Sequence, residues 1–225
     1  MLFRSQSTVN SSDIPLLTGT IHTSFENNSR YYYNSSMFII PQKKYELYSK
    51  IHLVPFAEYD LIPSIFHPLT KLNINIDRGN FKSGNNYKVF KHENLLFSNL
   101  ICYESSIPKI SRTFVSKGAE FLIIQANDGW LGSSFGPYQH FELARLRAIE
   151  NRIPIVRCAN TGISGIINID GSIKTKVLLN EEKIIFGSLS SNKNGSFYTK
   201  YGDIFAIIIS IIILIVILYK CRKYF

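Results

Sequence analysis

The run Ile204–Tyr219, IFAIIISIIILIVILY, carries no charge and a single hydroxyl, Ser210. A stretch this uniformly apolar has no polar face to turn toward water, so it reads as a membrane-crossing helix rather than an amphipathic core helix. At 1.5 Å per residue its sixteen positions span about 24 Å, a little short of the roughly 30 Å hydrocarbon core. Lys220, Arg222 and Lys223 follow and can snorkel, while Tyr219 and Tyr224 stand where an aromatic belt belongs. The run divides the chain into a domain over 1–203, a transmembrane helix over 204–219 and a basic tail over 220–225. The basic tail predicts a cytoplasmic C-terminus, which places residues 1–203 on the outer side of the membrane.

The 225 residues suffice for one sizeable α/β domain, and 45% hydrophobic with 18% charged residues describes a folded chain. The net charge of +9 invites a nucleic-acid reading. The basic residues are scattered among acids, however, and the densest group lies beside the apolar run, so a membrane surface is the expected partner and nucleic acid is not. Cys102, Cys158 and Cys221 are odd in number and far apart, which is no disulfide framework. Neither they nor the dispersed histidines have metal-ligand spacing, so no metal and no cofactor is expected. The first thirty residues are polar and hold no apolar segment of the signal-peptide kind.

Along the chain, Leu16–Ile21, Ser35–Ile40 and Tyr45–Leu53 read as strands, with PQKK at 41–44 as a turn. Pro55 to Asn86 breaks the pattern and reads as a long loop. Leu95–Tyr103 is a strand, Ile107–Lys117 a helix ending at Gly118, and Glu120–Ala126 a buried central strand closed by the turn Asn127-Asp128-Gly129. Tyr138–Asn151 has helical spacing, with Arg145 and Arg147 on faces away from the apolar one. Ile153–Ala159, Ser164–Asn168 and Ser172–Leu179 complete the strands, the last two joined at Asp170-Gly171. Strands alternating with helices imply a layered α/β domain.

Cys102 stands at the end of an apolar strand with a helix a few residues later, a position where a turn exposes the sulfur and a helix start favours the thiolate. Tyr103 offers a backbone N–H as an oxyanion donor, and Glu104 puts a carboxylate close by. A lone cysteine after a strand is more often a small buried hydrophobe. Lys50, at the end of another strand-like stretch, adds weight, since a fixed ammonium beside a thiol lowers its pKa and steadies an oxyanion. Glu58 can hold that ammonium in place.

Four ordered segments carry a resemblance: YSKIHLVPFAEY, LICYESSIP, QANDGWLGSSFGPYQH and ARLRAIENRIPIVRCANTGISG. With the terminal FYTKYGDIF and its apolar run, they resemble the bacterial apolipoprotein N-acyltransferases, membrane members of the nitrilase (carbon–nitrogen hydrolase) superfamily. The resemblance runs from about Leu16 to the C-terminus. It implies an α/β fold, a nitrilase-like α-β-β-α sandwich that is N-terminally incomplete over 1–203, followed by the one transmembrane helix. It also implies an enzyme of the bacterial inner membrane, with its catalytic domain on the periplasmic side. Cys102 would take an acyl chain from a phospholipid donor as a thioester, Lys50 would support the tetrahedral oxyanion and Glu58 would position the lysine. Tyr103 and Glu104 would shape the site, and Trp130 and Tyr138 would line an acyl pocket. The acceptor would be the N-terminal diacylglyceryl-cysteine of an apolipoprotein.

The pattern departs in one respect. The superfamily's general-base Glu lies upstream of LLTGTIH in a Trp-Pro-Glu context, whereas this sequence holds one tryptophan, Trp130, and only Asp13 as a carboxylate before Leu16. A separate N-terminal half that supplies the Glu is the partner this implies. The competing readings are a non-catalytic membrane-anchored fragment of the same fold and, third, an amidase of the superfamily. His140 reads as a hydrogen-bonded helix residue, Cys158 as an inert core thiol and Cys221 as a tail cysteine.

Overall fold

The computed structural model describes residues 2–55, 57–59 and 81–224. A short helix, α1 (Leu2–Ser12), precedes a three-stranded antiparallel sheet of β1 (Leu16–Glu26), β2 (Ser29–Ile39) and β3 (Glu46–Ser49), with β2 in the middle. Asn27 and Asn28, at φ +48° and +61°, make the β1–β2 turn, and asparagine is the non-glycine residue that best tolerates two successive positive φ values. The period-2 alternation of β2 divides its side chains between two layers. Met37 and Ile39 pack with Val9 of α1, whereas Phe38 faces the other way.

The second sheet has six strands in the order β4 (Phe90–His92), β5 (Leu95–Ile101), β6 (Phe121–Ala126), β7 (Ile155–Ala159), β8 (Ser164–Ile167) and β9 (Ile173–Val177). The β5–β6 and β6–β7 pairs are parallel and the others antiparallel. The parallel pairs are those joined through α2 (Pro108–Ser116) and α3 (Gly136–Asn151), as crossover connections require. Between the sheets, Phe38 meets Phe97 edge-on at 5.0 Å and Phe97 stacks on Phe121 at 5.2 Å. Gln125 bridges the layers, accepting from Asn99 Nδ2 (3.0 Å) and donating to the Leu17 carbonyl (3.3 Å). On the far side Phe141 of α3 lies over Gly165, where a Cβ would stand 3.4 Å from its ring and 2.6 Å from the Thr175 carbonyl. The layers therefore run α1, three-stranded sheet, six-stranded sheet, α2 with α3, the expected α-β-β-α order. Each fully buried side chain of this core, such as Phe114, Leu122 or Ile155, contributes about 1.5–3 kcal/mol.

Two further helices, α4 (Phe197–Tyr201) and α5 (Ile204–Tyr224), close the chain. Arg112 of α2 donates from Nε to the carbonyls of Tyr198 (3.0 Å) and Thr199 (3.1 Å), and from Nη2 to that of Lys200 (3.2 Å). Thr199 and Lys200 lie in the last turn of α4, where a short helix runs out of amide partners, while the Tyr198 carbonyl also accepts from the Gly202 N–H (2.7 Å). Within α5, Ile204–Arg222 is long and apolar enough to cross a membrane, at mean hydropathy 3.0, and none of its apolar stretch is buried.

Several expectations need correction. The polar N-terminal segment contains α1, and the first hairpin runs well beyond Leu16–Ile21 and Ser35–Ile40. The strand expected over Tyr45–Leu53 is confined to Glu46–Ser49. Most of the loop expected from Pro55 to Asn86 lies outside the described residues. Arg147 does not face outward: it is buried and paired with Glu150 at 2.8 Å, because α3 is covered by α2 and α4 as well as by the sheet. Cys158 is not a core thiol. The alternation along β7 buries Arg157 and leaves Cys158 exposed on the opposite face.

Candidate functional site

Strand β5 ends at Ile101, and the next residue, Cys102, has φ +52°, in the left-handed region that residues with a Cβ rarely occupy. The chain then makes a 3₁₀ turn over Cys102–Ser106 and enters α2 at Pro108. The sharp reversal keeps the thiol partly exposed at the strand's C-terminal end. The turn is pinned by the Ile101 N–H donating to Glu104 Oε2 (2.8 Å) and by the Ser105 hydroxyl donating to the Cys102 carbonyl (2.8 Å). His140 Nε2 lies 3.1 Å from that same carbonyl oxygen.

Lys50, at the exit of β3, is 1% exposed. Its Nζ meets Glu58 Oε2 at 2.6 Å. Glu58 is itself held: Oε1 accepts from Asn34 Nδ2 (2.6 Å) and Oε2 from the Val54 N–H (2.7 Å). The lysine's own backbone is clasped on both sides, N–H to the Asn34 carbonyl and C=O from the Gly84 N–H, each at 2.8 Å. Only glycine fits at 84, since a Cβ there would lie 2.3 Å from the Ser49 carbonyl oxygen. A buried ammonium needs a charged partner, and Glu58 provides it.

Glu104 joins the two segments. Its Oε1 accepts from the Tyr48 hydroxyl (2.7 Å), the Ile51 N–H (2.8 Å) and the His52 N–H (3.2 Å). One buried carboxylate thus fastens the stretch around Lys50 to the turn that carries Cys102. Burial pushes the Glu104 carboxyl up and its four hydrogen bonds oppose that shift. Burial, followed by the nearby Glu104 charge, pushes the Tyr48 hydroxyl up as well, so it stays a donor.

The other residues singled out from the sequence lie on the Cys102 turn itself and on the segment that leads into α3. Tyr103 is half-exposed, its ring 6.2 Å from that of His52. Trp130 is 78% exposed in a 3₁₀ turn after β6, and Tyr138, in the first turn of α3, is exposed too. Sequence reasoning missed Asn34, which nothing in its polar strand marks. It also missed the grouping of Asp128, His140 and Arg157, although all three belong to the motif segments. Among the described residues no three His, Cys, Asp or Glu side chains gather as metal ligands.

Comparison with known proteins bears on the family and the fold. The family model described as carbon-nitrogen hydrolase matches residues 4–197. The chain is 35% identical over 215 residues to an apolipoprotein N-acyltransferase of Rickettsia typhi, which covers 94% of this chain and 42% of that protein. It is 39% identical over 157 residues to one of Geobacter metallireducens, covering 70% of this chain and 30% of that protein. The chain thus spans well under half the length of these relatives. Among solved structures, a carbon–nitrogen hydrolase of Helicobacter pylori superposes with TM-score 0.62 at 16% identity, covering 79% of this chain and 63% of that one. Nit3 of Saccharomyces cerevisiae, of the nitrilase superfamily, gives TM-score 0.59 at 20% identity, over 79% and 60%.

Proposed function

Because the chain belongs to the carbon–nitrogen hydrolase family, we propose that it is the thiol-bearing part of an apolipoprotein N-acyltransferase, with Cys102 as nucleophile, Lys50 as oxyanion partner and Glu58 as the lysine's support. The observation that carries the proposal is the fastening of two segments by Glu104: the buried Lys50–Glu58 pair on one, the left-handed Cys102 turn on the other. The relatives' names supply the chemistry of donor and acceptor.

In this reading the Cys102 thiolate adds to an ester carbonyl of a phospholipid, forming a C–S bond and an oxyanion that Lys50 stabilises. Collapse breaks the ester C–O bond, and the lysophospholipid alkoxide leaves with the proton that a base has taken from the Cys102 thiol. The α-amine of a diacylglyceryl-cysteine then adds to the thioester, the C–N bond forms, the C–S bond breaks and the thiolate returns. The proton lost by the amine needs a base. Glu58 and Glu104 are engaged by three and four donors, so neither is free to serve. We assign that base to polypeptide beyond these 225 residues, as a separate half or as the remainder of a longer protein. Helix α5 anchors the domain on the outer face of the bacterial inner membrane, with Lys220, Arg222 and Lys223 on the cytoplasmic side, and Trp130 and Tyr138 lie toward the acyl chain.

The assay is mobility shift of a diacylglyceryl-cysteine peptide in phospholipid membranes that contain the chain together with a Trp-Pro-Glu-bearing N-terminal portion of a relative. Transfer is expected, and Cys102→Ala or Lys50→Met should lower it at least about a hundredfold. Transfer that survives Cys102→Ala would overturn the assignment. Lack of both thioester and transfer in the complemented system would establish a non-catalytic fragment instead.

A further inference from the structure

Behind the nucleophile turn lie three titratable side chains that the proposed reaction does not use. Arg157 of β7, Asp128 after β6 and His140 of α3 are buried, at 1%, 1% and 7% exposure. Arg157 Nη2 donates to Asp128 Oδ2 (2.7 Å) and its Nε to the Ile163 carbonyl (3.1 Å). Asp128 Oδ1 lies 2.8 Å from His140 Nδ1. His140 Nε2 reaches the Cys102 carbonyl (3.1 Å) and the Ser105 hydroxyl oxygen (2.8 Å). Gly162 leaves room for the carboxylate, since a Cβ there would lie 2.0 Å from Asp128 Oδ2.

Enclosing such groups is expensive, each ion costing several kcal/mol before its partners repay it, and hydrophobic residues of equal volume would serve the core as well. What these groups do that hydrophobic residues cannot is hold a carbonyl. Cys102 sits in a backbone region that a non-glycine residue enters only at a cost, so something must keep it there. The Ser105 hydroxyl and His140 Nε2 converge on its carbonyl oxygen, and the imidazole is turned by a carboxylate that an arginine fixes in place.

We propose that Arg157, Asp128 and His140 form a positioning chain that locks the left-handed backbone of Cys102 and thereby aims its sulfur. This rests on the reading of Cys102 as nucleophile. His140 is a positioning residue, since it touches the carbonyl of Cys102 and not the thiol or a substrate. Misplacing a reacting atom by about 1 Å costs on the order of a hundredfold in rate, which sets the expected scale.

The test uses the full chain in membranes, complemented as above, and compares His140→Ala, His140→Gln and Ser105→Ala with the unaltered protein. Two quantities are read by peptide-resolved mass spectrometry: thioester formation at Cys102 across phospholipid concentrations, and alkylation of Cys102 by iodoacetamide. Exposed Cys158 serves as the reference thiol. His140→Ala should slow both at Cys102 by about ten- to a hundredfold, with the lipid KM and the Cys158 rate unchanged. His140→Gln retains an N–H donor and should recover most of the rate, which a volume-filling role would not explain. Unchanged Cys102 rates in folded His140→Ala would overturn the proposal. Where His140→Ala does not fold, Ser105→Ala decides: a severalfold slowing supports the chain and no change overturns it. If the unaltered protein forms no thioester, the functional reading fails, while the alkylation comparison still decides this inference.

Discussion

The carboxylate of Glu104 accepts the hydroxyl proton of Tyr48 across 2.7 Å, joining residues that are 56 positions apart in the chain. Both oxygens of Glu104 are occupied by donors, three of them backbone amides. A glutamine there brings one acceptor and turns an NH₂ toward groups that are themselves donors. Glu104→Gln should therefore lower folding stability by about 1–3 kcal/mol, and Tyr48→Phe, which removes a single bond to a charged group, by about 1.5–3 kcal/mol. Denaturant unfolding measures both. Stability unchanged in both variants would refute the fastening role.

The strain at Cys102 can be measured. Glycine adopts φ +52° freely and alanine does not. Cys102→Gly should be more stable than Cys102→Ala by about 1 kcal/mol, although both lack the thiol. Equal midpoints for the two variants would mean that the turn carries no such strain.

The proposed influence of Lys50 on the thiol is open to a direct reading. Cys158 is exposed and Cys102 only partly so, which means that labelling order alone says little. The informative comparison is within one thiol. Lys50→Met should slow alkylation of Cys102 severalfold at neutral pH while leaving Cys158 unaffected, because an ammonium nearby favours the thiolate. An unaffected Cys102 rate would separate the two residues.

Acid should act through Asp128. Burial alone would push its carboxyl up, but the His140 hydrogen bond and the Arg157 charge outweigh it and hold the carboxyl below its ordinary 3.8. A carboxylate whose folded pKa is depressed adds stability above its unfolded value, and that stability is lost as pH falls through the folded one. The Asp128 contribution should therefore be complete at neutral pH and fade below about pH 4. Asp128→Asn should cost about 3–5 kcal/mol at pH 7, since Arg157 is left buried without its charge partner, and should flatten the acid limb of the stability curve. An acid limb identical to that of the unaltered protein would rule out Asp128 as its source.

Elements whose burial comes from a local pattern were legible in the sequence. The run Phe121–Ala126 is apolar and closed by a turn signal, the helix ending at Asn151 has apolar groups at helical spacing, and both appear nearly as expected. Elements that depend on distant partners were not legible. Helix α1 is mostly polar and presents Val9 to Met37 and Ile39, and β4 is three residues long. The hairpin signal was present in Asn27-Asn28 but lay between strands rich in Thr, Ser and Tyr, where alternation is faint. Within the site, Cys102, Lys50 and Glu58 stood out by segment. The engagement of Asp128 with His140 and Arg157 did not, because a turn, a helix and a strand must pack together before those groups meet.

Arg112 has a mechanical consequence. Its guanidinium grips the carbonyl end of α4, and the next helix begins at Ile204, so only Gly202 and Asp203 separate α4 from α5. Gly202, at φ +61°, has no side chain to push the guanidinium away, since a Cβ there would lie 2.9 Å from it. The same arginine stands on the helix whose first residue, Pro108, closely follows the Cys102–Ser106 turn. Torque applied to α5 therefore has a path to the thiol's turn through α4 and α2, with the two residues between α4 and α5 as its pivot. Lengthening that joint with inserted glycines would decouple the tilt of α5 from the site while leaving every group around Cys102 in place.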